Sequence, residues 1–111
     1  MPKEEKYTII LSKRSRINVK FSREKNKILN FAVNFEITYG KSKQWTTVIR
    51  YDMAHQEAGR KWKIPHKHTY YRNRKESIVF IRTKDYNEAL TIAIKDIKNN
   101  FPKIKDKFYT Y

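Results

Sequence analysis

The strongest constraint on the fold is an alternation of apolar and polar residues in the middle of the chain. The apolar positions are Phe31, Val33, Phe35, Ile37 and Tyr39, and between them stand Ala32, Asn34, Glu36 and Thr38. This two-residue period is typical of a β-strand with one buried face. A polar turn over residues 40–43 follows, and residues 45–52 alternate again, which predicts an antiparallel hairpin. On its second strand, Trp45, Thr47, Ile49 and Tyr51 are predicted to share one face.

Shorter apolar segments predict further strands around this hairpin. Residues 7–11 and 17–21 favour strands through their β-branched and aromatic content. Residues 66–72 are expected to be extended, and residues 77–82 are predicted to form a buried strand around an Ile-Val-Phe-Ile core. Four to five strands are therefore expected in one antiparallel sheet, within a basic, strand-rich region spanning residues 1–82.

The C-terminal segment, residues 85–108, changes to a helical period. Asp85, followed three residues later by Glu88, matches the reciprocal capping arrangement at a helix start. The apolar stripe consists of Tyr86, Ala89, Leu90, Ala93, Ile94, Ile97 and Phe101. Pro102 predicts a break after Asn99, or the start of a short last helix. The predicted architecture is a single α+β domain, an antiparallel sheet of four to five strands with a C-terminal helix packed on one face.

The charge balance is strongly positive. Lysine and arginine number 26 against 11 aspartate and glutamate, which gives a formal net charge of +15. Positive charges in such excess repel one another unless anions lie nearby. The phosphates of a nucleic acid are such anions, and binding to them gains free energy from the release of counterions. The alternative is a Lys-rich surface without such a partner, but ion-pair surfaces of that kind raise Glu together with Lys, and here Glu does not keep up. Nucleic acid is the expected partner, with RNA favoured.

Other classes are excluded by what the sequence lacks. There is no cysteine, hence no disulfide, thiolate metal site or cysteine nucleophile. No apolar run approaches the length that a bilayer requires, and the first six residues are not followed by the apolar segment of a secretory signal. A cytoplasmic protein with no membrane partner and no cofactor is expected.

Four residues are candidates for catalysis. His66 and His68 stand two apart, as do Arg50 and Asp52, so each pair points to one side of an extended segment. If the two segments pair antiparallel, the four side chains form one polar patch. Metal-independent RNA cleavage needs a base and an acid, and imidazoles suit both roles near neutral pH. Arg50 would hold the scissile phosphate and Asp52 would orient one imidazole.

Two other interpretations of these residues stay open. In the first, the histidines are ordinary strand and loop residues, and Arg50 with Asp52 is an intrastrand ion pair. In the second, the two histidines together with Asp52 or His55 supply three or four ligands to a metal ion. The absence of cysteine and of a dense carboxylate cluster favours the metal-independent hypothesis.

Aromatic residues interleave with basic ones beside the histidines. Rings that stack on bases and cations that hold phosphates are the means by which proteins grip single strands. The candidates for nucleic-acid binding are Arg60, Lys61, Lys63, Lys67, Tyr70, Tyr71, Arg72 and Arg74. Taken singly, Trp62 and one of the tyrosines are equally typical of core residues.

Three segments carry a resemblance to known proteins. They are Val48–His55 (VIRYDMAH), Pro65–His68 (PHKH) and Tyr86–Ile97 (YNEALTIAIKDI). Together they resemble a group of small uncharacterised prokaryotic proteins with an RYD-x-AH…H-x-[HD] core, and more distantly the TumE family of toxins from toxin–antitoxin pairs. The resemblance implies a compact α+β toxin whose gene lies beside that of a helix-turn-helix antitoxin.

The leading hypothesis is therefore a toxin-like RNA-binding protein that acts as an endoribonuclease at Arg50, Asp52, His66 and His68. One alternative is a non-catalytic DNA- or RNA-binding accessory protein. The other is an interaction module whose positive surface serves an acidic protein partner.

Overall fold

The computed structural model describes residues 2–41, 43–53 and 64–110, which form one antiparallel sheet and one helix. The strands are β1 (Lys3–Ser12), β2 (Ser15–Glu24), β3 (Lys27–Ile37), β4 (Thr46–Asp52), β5 (His66–Tyr70) and β6 (Glu76–Phe80). The helix, α1, spans Tyr86–Thr110. Each strand pairs with the next one along the chain, in the order β1-β2-β3-β4-β5-β6. The predicted α+β class, antiparallel sheet and C-terminal helix are confirmed.

The predicted strand number was wrong, because six strands form within the described residues rather than four to five. The additional strand is β5, whose sequence, His-Lys-His-Thr-Tyr, carries no apolar alternation. It is held as a strand by its hydrogen-bonded neighbours, with β4 on one side and β6 on the other. Tertiary pairing here decides the structure of a segment with a weak local signal.

The strand predicted over residues 77–82 forms as β6, but the prediction that it is buried was wrong. β6 is the last strand of the sheet, and Ile78, Val79 and Phe80 are 50, 55 and 65% exposed. Helix α1 contacts β3 most and β4 less, so it does not extend over this edge. An apolar run alone does not distinguish a central strand from an edge strand.

A β-bulge interrupts the alternation predicted for β4. Phe35 pairs with Ile49, but the next residue of β3, Glu36, pairs with Thr47. Val48 is therefore the extra residue, and Thr47 moves to the face opposite that of Ile49. The predicted grouping of Thr47 with Ile49 and Tyr51 is wrong for this reason.

The helix begins as predicted and runs further than predicted. Asp85 Oδ1 accepts a hydrogen bond from the Glu88 amide at 2.8 Å, as an N-cap does. No break occurs at Pro102, which lies exposed inside the helix. Beyond it Phe108 is 3% exposed and lies against Tyr39, with ring centroids 5.5 Å apart. This packing offsets the cost of about 3 kcal/mol that proline imposes on a helix interior.

The core lies between the helix and one face of the central strands. Its fully buried side chains include Ile17, Val19, Val33, Phe35, Ile37, Ile49, Ala93 and Ile97. Of the predicted stripe, Ala89, Leu90, Ala93 and Ile97 are buried, and Tyr86, Ile94 and Phe101 pack partly buried against them. Among the described helices, none is long and apolar enough to cross a membrane.

Strand register assigns each polar side chain to one of the two faces. Cross-strand partners point to the same side, and Val33, Tyr51 and Lys67 are partners across β3, β4 and β5. The Tyr51 hydroxyl and the Lys67 ammonium both donate to Asp96 of α1, so this row lies on the helix face. The neighbouring rows of these strands face the other side, which we call the outer face.

Asp96 links the helix to two strands, and its stability contribution should depend on pH. Burial opposes its ionisation, but hydrogen bonds from Lys67 and Tyr51 outweigh burial and hold its pKa below the usual range. Burial and the Asp96 carboxylate raise the pKa of Tyr51, so the phenol stays a donor. A depressed carboxyl pKa contributes stability that is present above its unfolded value, about 3.9, and is lost as pH falls through the folded value.

Asp96→Asn should therefore lower the free energy of unfolding by about 1.5–3 kcal/mol at pH 7, the range for hydrogen bonds to a charged group. The deficit should shrink at pH 3, because below about 3.9 the unfolded wild type takes up a proton that the folded carboxylate resists. Urea unfolding at both pH values measures this. Tyr51→Phe, which removes one donor and no charge, serves as the control and should show a smaller pH dependence. An Asp96→Asn deficit of equal size at pH 7 and pH 3 would contradict the linkage.

Candidate functional site

The four residues predicted to form a patch are brought together on the outer face. Arg50 of β4 pairs with His68 of β5, and Asp52 pairs with His66. The juxtaposition inferred from the two-residue spacing is confirmed by this register. The roles proposed for these side chains stay predictions.

Asp52 lies at the centre of the cluster. Its Oδ1 atom is 2.8 Å from Nε2 of His66 and 3.5 Å from Nε2 of His68. Its Oδ2 atom accepts a hydrogen bond from Nε of Arg50 at 2.5 Å. One carboxylate thus faces two imidazoles on one oxygen and a guanidinium on the other.

The opposite nitrogens of the two imidazoles contact hydrogen-bond acceptors. Nδ1 of His66 lies 3.0 Å from the carbonyl oxygen of Ile64, and Nδ1 of His68 lies 2.5 Å from Oε1 of Glu76. A carbonyl and a carboxylate only accept, so the neutral tautomer with its proton on Nδ1 satisfies both of these contacts. In that tautomer, each ring directs the lone pair of Nε2 toward Asp52.

Three of the four residues predicted to form the patch are buried. His66, His68 and Asp52 are 1, 3 and 4% exposed, whereas the Arg50 side chain is 42% exposed. The rings of His66 and His68 contact each other edge to face, with centroids 4.7 Å apart. In this arrangement Arg50 is the member that reaches solvent, and the imidazoles do not meet a large substrate directly.

Two residues of the cluster were missed from the sequence. Glu76 fixes the ring of His68, and Phe80 packs edge to face on His66 with centroids 6.0 Å apart. Both belong to β6, where His66 pairs with Phe80 and Tyr70 with Glu76. The register of a hairpin with its turn at residues 71–75 could have placed both residues beside the histidines. That register can be derived only after β6 is recognised as the strand that pairs with β5.

The predicted nucleic-acid-binding residues do not form one surface. Lys67 lies on the helix face, where it donates to Asp96 at 2.8 Å and lies 5.5 Å from the Tyr51 ring. It is therefore separated by the sheet from His66 and His68. Arg60, Lys61 and Lys63 lie outside the described residues, as do His55 and Trp62.

The remaining candidates lie at the β5–β6 end of the sheet. The ring of Tyr70 stacks parallel to His68 with centroids 6.0 Å apart, so it extends the cluster along the strand. Tyr71 is half-buried, while Arg72 and Arg74 are exposed in the turn that follows. The role of these two arginines in phosphate contacts stays a prediction.

Fold and site together define a basic α+β domain, with a meander sheet and a buried histidine–aspartate cluster on the face away from the helix. The chain belongs to the family described as a domain of unknown function, DUF7718, whose model matches residues 1–110. No curated protein and no solved structure matches it. The resemblance to the TumE toxins stays a prediction.

Proposed function

We propose that the protein binds RNA through its exposed basic surface. The observation that carries this proposal is the formal net charge of +15. Charge of this size on a small domain favours association with a polyanion, because binding releases the counterions condensed on the phosphates. Aromatic residues beside exposed arginines favour a single-stranded RNA over a duplex.

The β5–β6 turn is the best-defined part of that surface. Arg72, Arg74 and Lys75 are all exposed within four residues. The turn is fixed by backbone hydrogen bonds between Tyr71 and Lys75 at 3.0 Å and from the Arg74 amide to the Tyr71 carbonyl at 2.9 Å. Arg74 adopts a positive φ of 70°, which closes the turn. A fixed turn presents its cations with less loss of entropy on binding than a mobile one.

The test is a titration of a fluorescent single-stranded RNA at several salt concentrations. We expect the logarithm of the binding constant to fall linearly with the logarithm of salt concentration, by about 0.7 for each phosphate neutralised on a single strand. Arg72→Gln with Arg74→Gln should weaken binding by about tenfold or more and reduce this slope.

Lys98→Gln with Lys103→Gln is the matched control, since it removes the same charge from exposed positions of α1. Its effect should be clearly smaller than that of the turn substitutions. Equal effects of the two double variants would show that binding is diffuse rather than centred on the turn. An absence of binding at low salt, or an affinity that does not change with salt, would exclude RNA binding.

Cleavage of the bound RNA and a toxin–antitoxin role are further proposals that RNA binding does not require. Arg50 supports cleavage, because its partly exposed guanidinium is joined to the buried carboxylate of Asp52 at 2.5 Å. An acidic or helix-turn-helix antitoxin remains the partner implied by the resemblance.

A further inference from the structure

We propose that Asp52, His66 and His68 form a binding site for one divalent transition-metal cation of the Zn²⁺ class. The three residues offer one ligand atom each, and these atoms all lie within 4.8 Å of one another. This proposal goes beyond RNA binding and is independent of it. It also differs from metal-independent catalysis, in which the imidazoles would exchange protons with the substrate directly.

The first support is the orientation of the imidazoles. Metal-binding histidines characteristically donate their second ring N–H to a carboxylate or a backbone carbonyl, which fixes the tautomer and the ring plane. Both arrangements occur here, with His68 Nδ1 on Glu76 and His66 Nδ1 on the Ile64 carbonyl. Each Nε2 atom is thereby directed at the same point beside Asp52.

The second support is the carboxylate oxygen at the centre of the site. Asp52 Oδ1 is buried and accepts no hydrogen bond within the described part of the chain, which is unfavourable for a charged oxygen. A divalent cation held beside this oxygen would compensate its charge.

The third support is distance. Zn–N and Zn–O bonds of about 2.0–2.2 Å at tetrahedral angles place ligand atoms about 3.3 Å apart. The distances from Asp52 Oδ1 to the two Nε2 atoms, 2.8 and 3.5 Å, lie on either side of this value. The two Nε2 atoms lie within 4.8 Å of each other, so a small approach of the two rings would complete the geometry.

The chemistry of the donors selects the class of cation. Two imidazoles with one carboxylate suit zinc, iron, cobalt and related ions, whereas magnesium and calcium prefer oxygen ligands throughout. Among the described residues of the cluster, the carboxylates of Asp52 and Glu76 outnumber the Arg50 guanidinium, which also favours a cation. Three protein ligands leave a further coordination position, as in zinc sites that bind water or a substrate.

The test uses the tag-free full chain, freed of metal by dialysis against EDTA and titrated with Zn²⁺ in a calorimeter. We expect one equivalent to bind and the melting temperature to rise, while Mg²⁺ at the same concentration does neither. His66→Gln and His68→Gln should each weaken Zn²⁺ binding by about 100-fold or more. Glu76→Gln, which alters only the support of His68, should weaken it by about tenfold, the lower end of the range for such partners.

Asp52→Asn and Asp106→Asn form a matched pair, because each removes one carboxylate and Asp106 is exposed on α1. Only Asp52→Asn should lose binding. Nitrogen-15 spectra of wild-type histidines answer the same question if a variant fails to fold, since Zn²⁺ should shift the Nε2 signals of His66 and His68. Absence of binding by the wild type, retention of full affinity in either histidine variant, or unshifted Nε2 signals would each overturn the proposal.

Discussion

Ile97→Ala should destabilise the protein by about 2–5 kcal/mol, the usual cost of truncating a buried isoleucine to alanine. Ile97 is 0% exposed and belongs to the buried stripe of α1 that packs on the sheet. The change leaves a cavity in the interface between helix and sheet, where the surrounding side chains are already packed. Chemical denaturation at pH 7, with the slope against denaturant compared between variants, measures the loss.

Ile92→Ala is the matched control. It makes the same chemical change in the same helix, but Ile92 is 39% exposed. Its free energy of unfolding should stay within about 0.5 kcal/mol of the wild type, as for most surface substitutions. Similar losses in the two variants would mean that α1 packs with a different face against the sheet.

Periodic segments explain why most of the fold was predictable. The alternation around Phe35 and the helical stripe around Ile97 each repeat over several residue pairs or turns, and a strand and a helix form around them, although with different bounds. Strand β5 carries no such repeat and is set by its neighbours. The break predicted at Pro102 does not occur, since the packing of Phe108 beyond it outweighs the cost of a proline inside the helix.

The four residues of the predicted patch could be identified from the sequence, but the residues that surround them could not. Period-two spacing in Arg50–Asp52 and in His66–His68 suffices to place four side chains on one face once the strands pair. The same rule places Lys67 on the other face, a consequence that the grouping of basic residues by sequence proximity overlooked. Burial of the imidazoles and the contact of Glu76 depend on tertiary packing, which local sequence does not encode.

Asp52→Ala should cost about 2–3 kcal/mol at pH 7 when the protein is kept free of metal, the upper part of the range for hydrogen bonds to a charged group. Asp52 is 4% exposed, and its carboxylate accepts a hydrogen bond from Arg50 and lies beside Nε2 of His66. The substitution removes this charge-assisted hydrogen bond from a buried acceptor. Thermal and urea unfolding in EDTA measure the deficit.

Glu5→Ala provides the comparison, because Glu5 also pairs with an arginine on the sheet. The Glu5–Arg23 ion pair has a similar N–O distance, 3.0 Å, but its side chains are 38 and 33% exposed. An exposed pair of this kind contributes little to stability, because solvent screens the two charges. A loss for Asp52→Ala no larger than that for Glu5→Ala would show that the cluster does not stabilise the sheet.

Addition of Zn²⁺ then separates the structural role of Asp52 from its proposed role as a ligand. A cation that binds only the folded state stabilises it by about 2.7 kcal/mol at a concentration 100 times its dissociation constant. Wild type and Glu5→Ala should both gain this increment, and Asp52→Ala should not. The difference between the two variants should therefore widen on adding Zn²⁺. If it stays constant, Asp52 stabilises the cluster through Arg50 and the imidazoles alone.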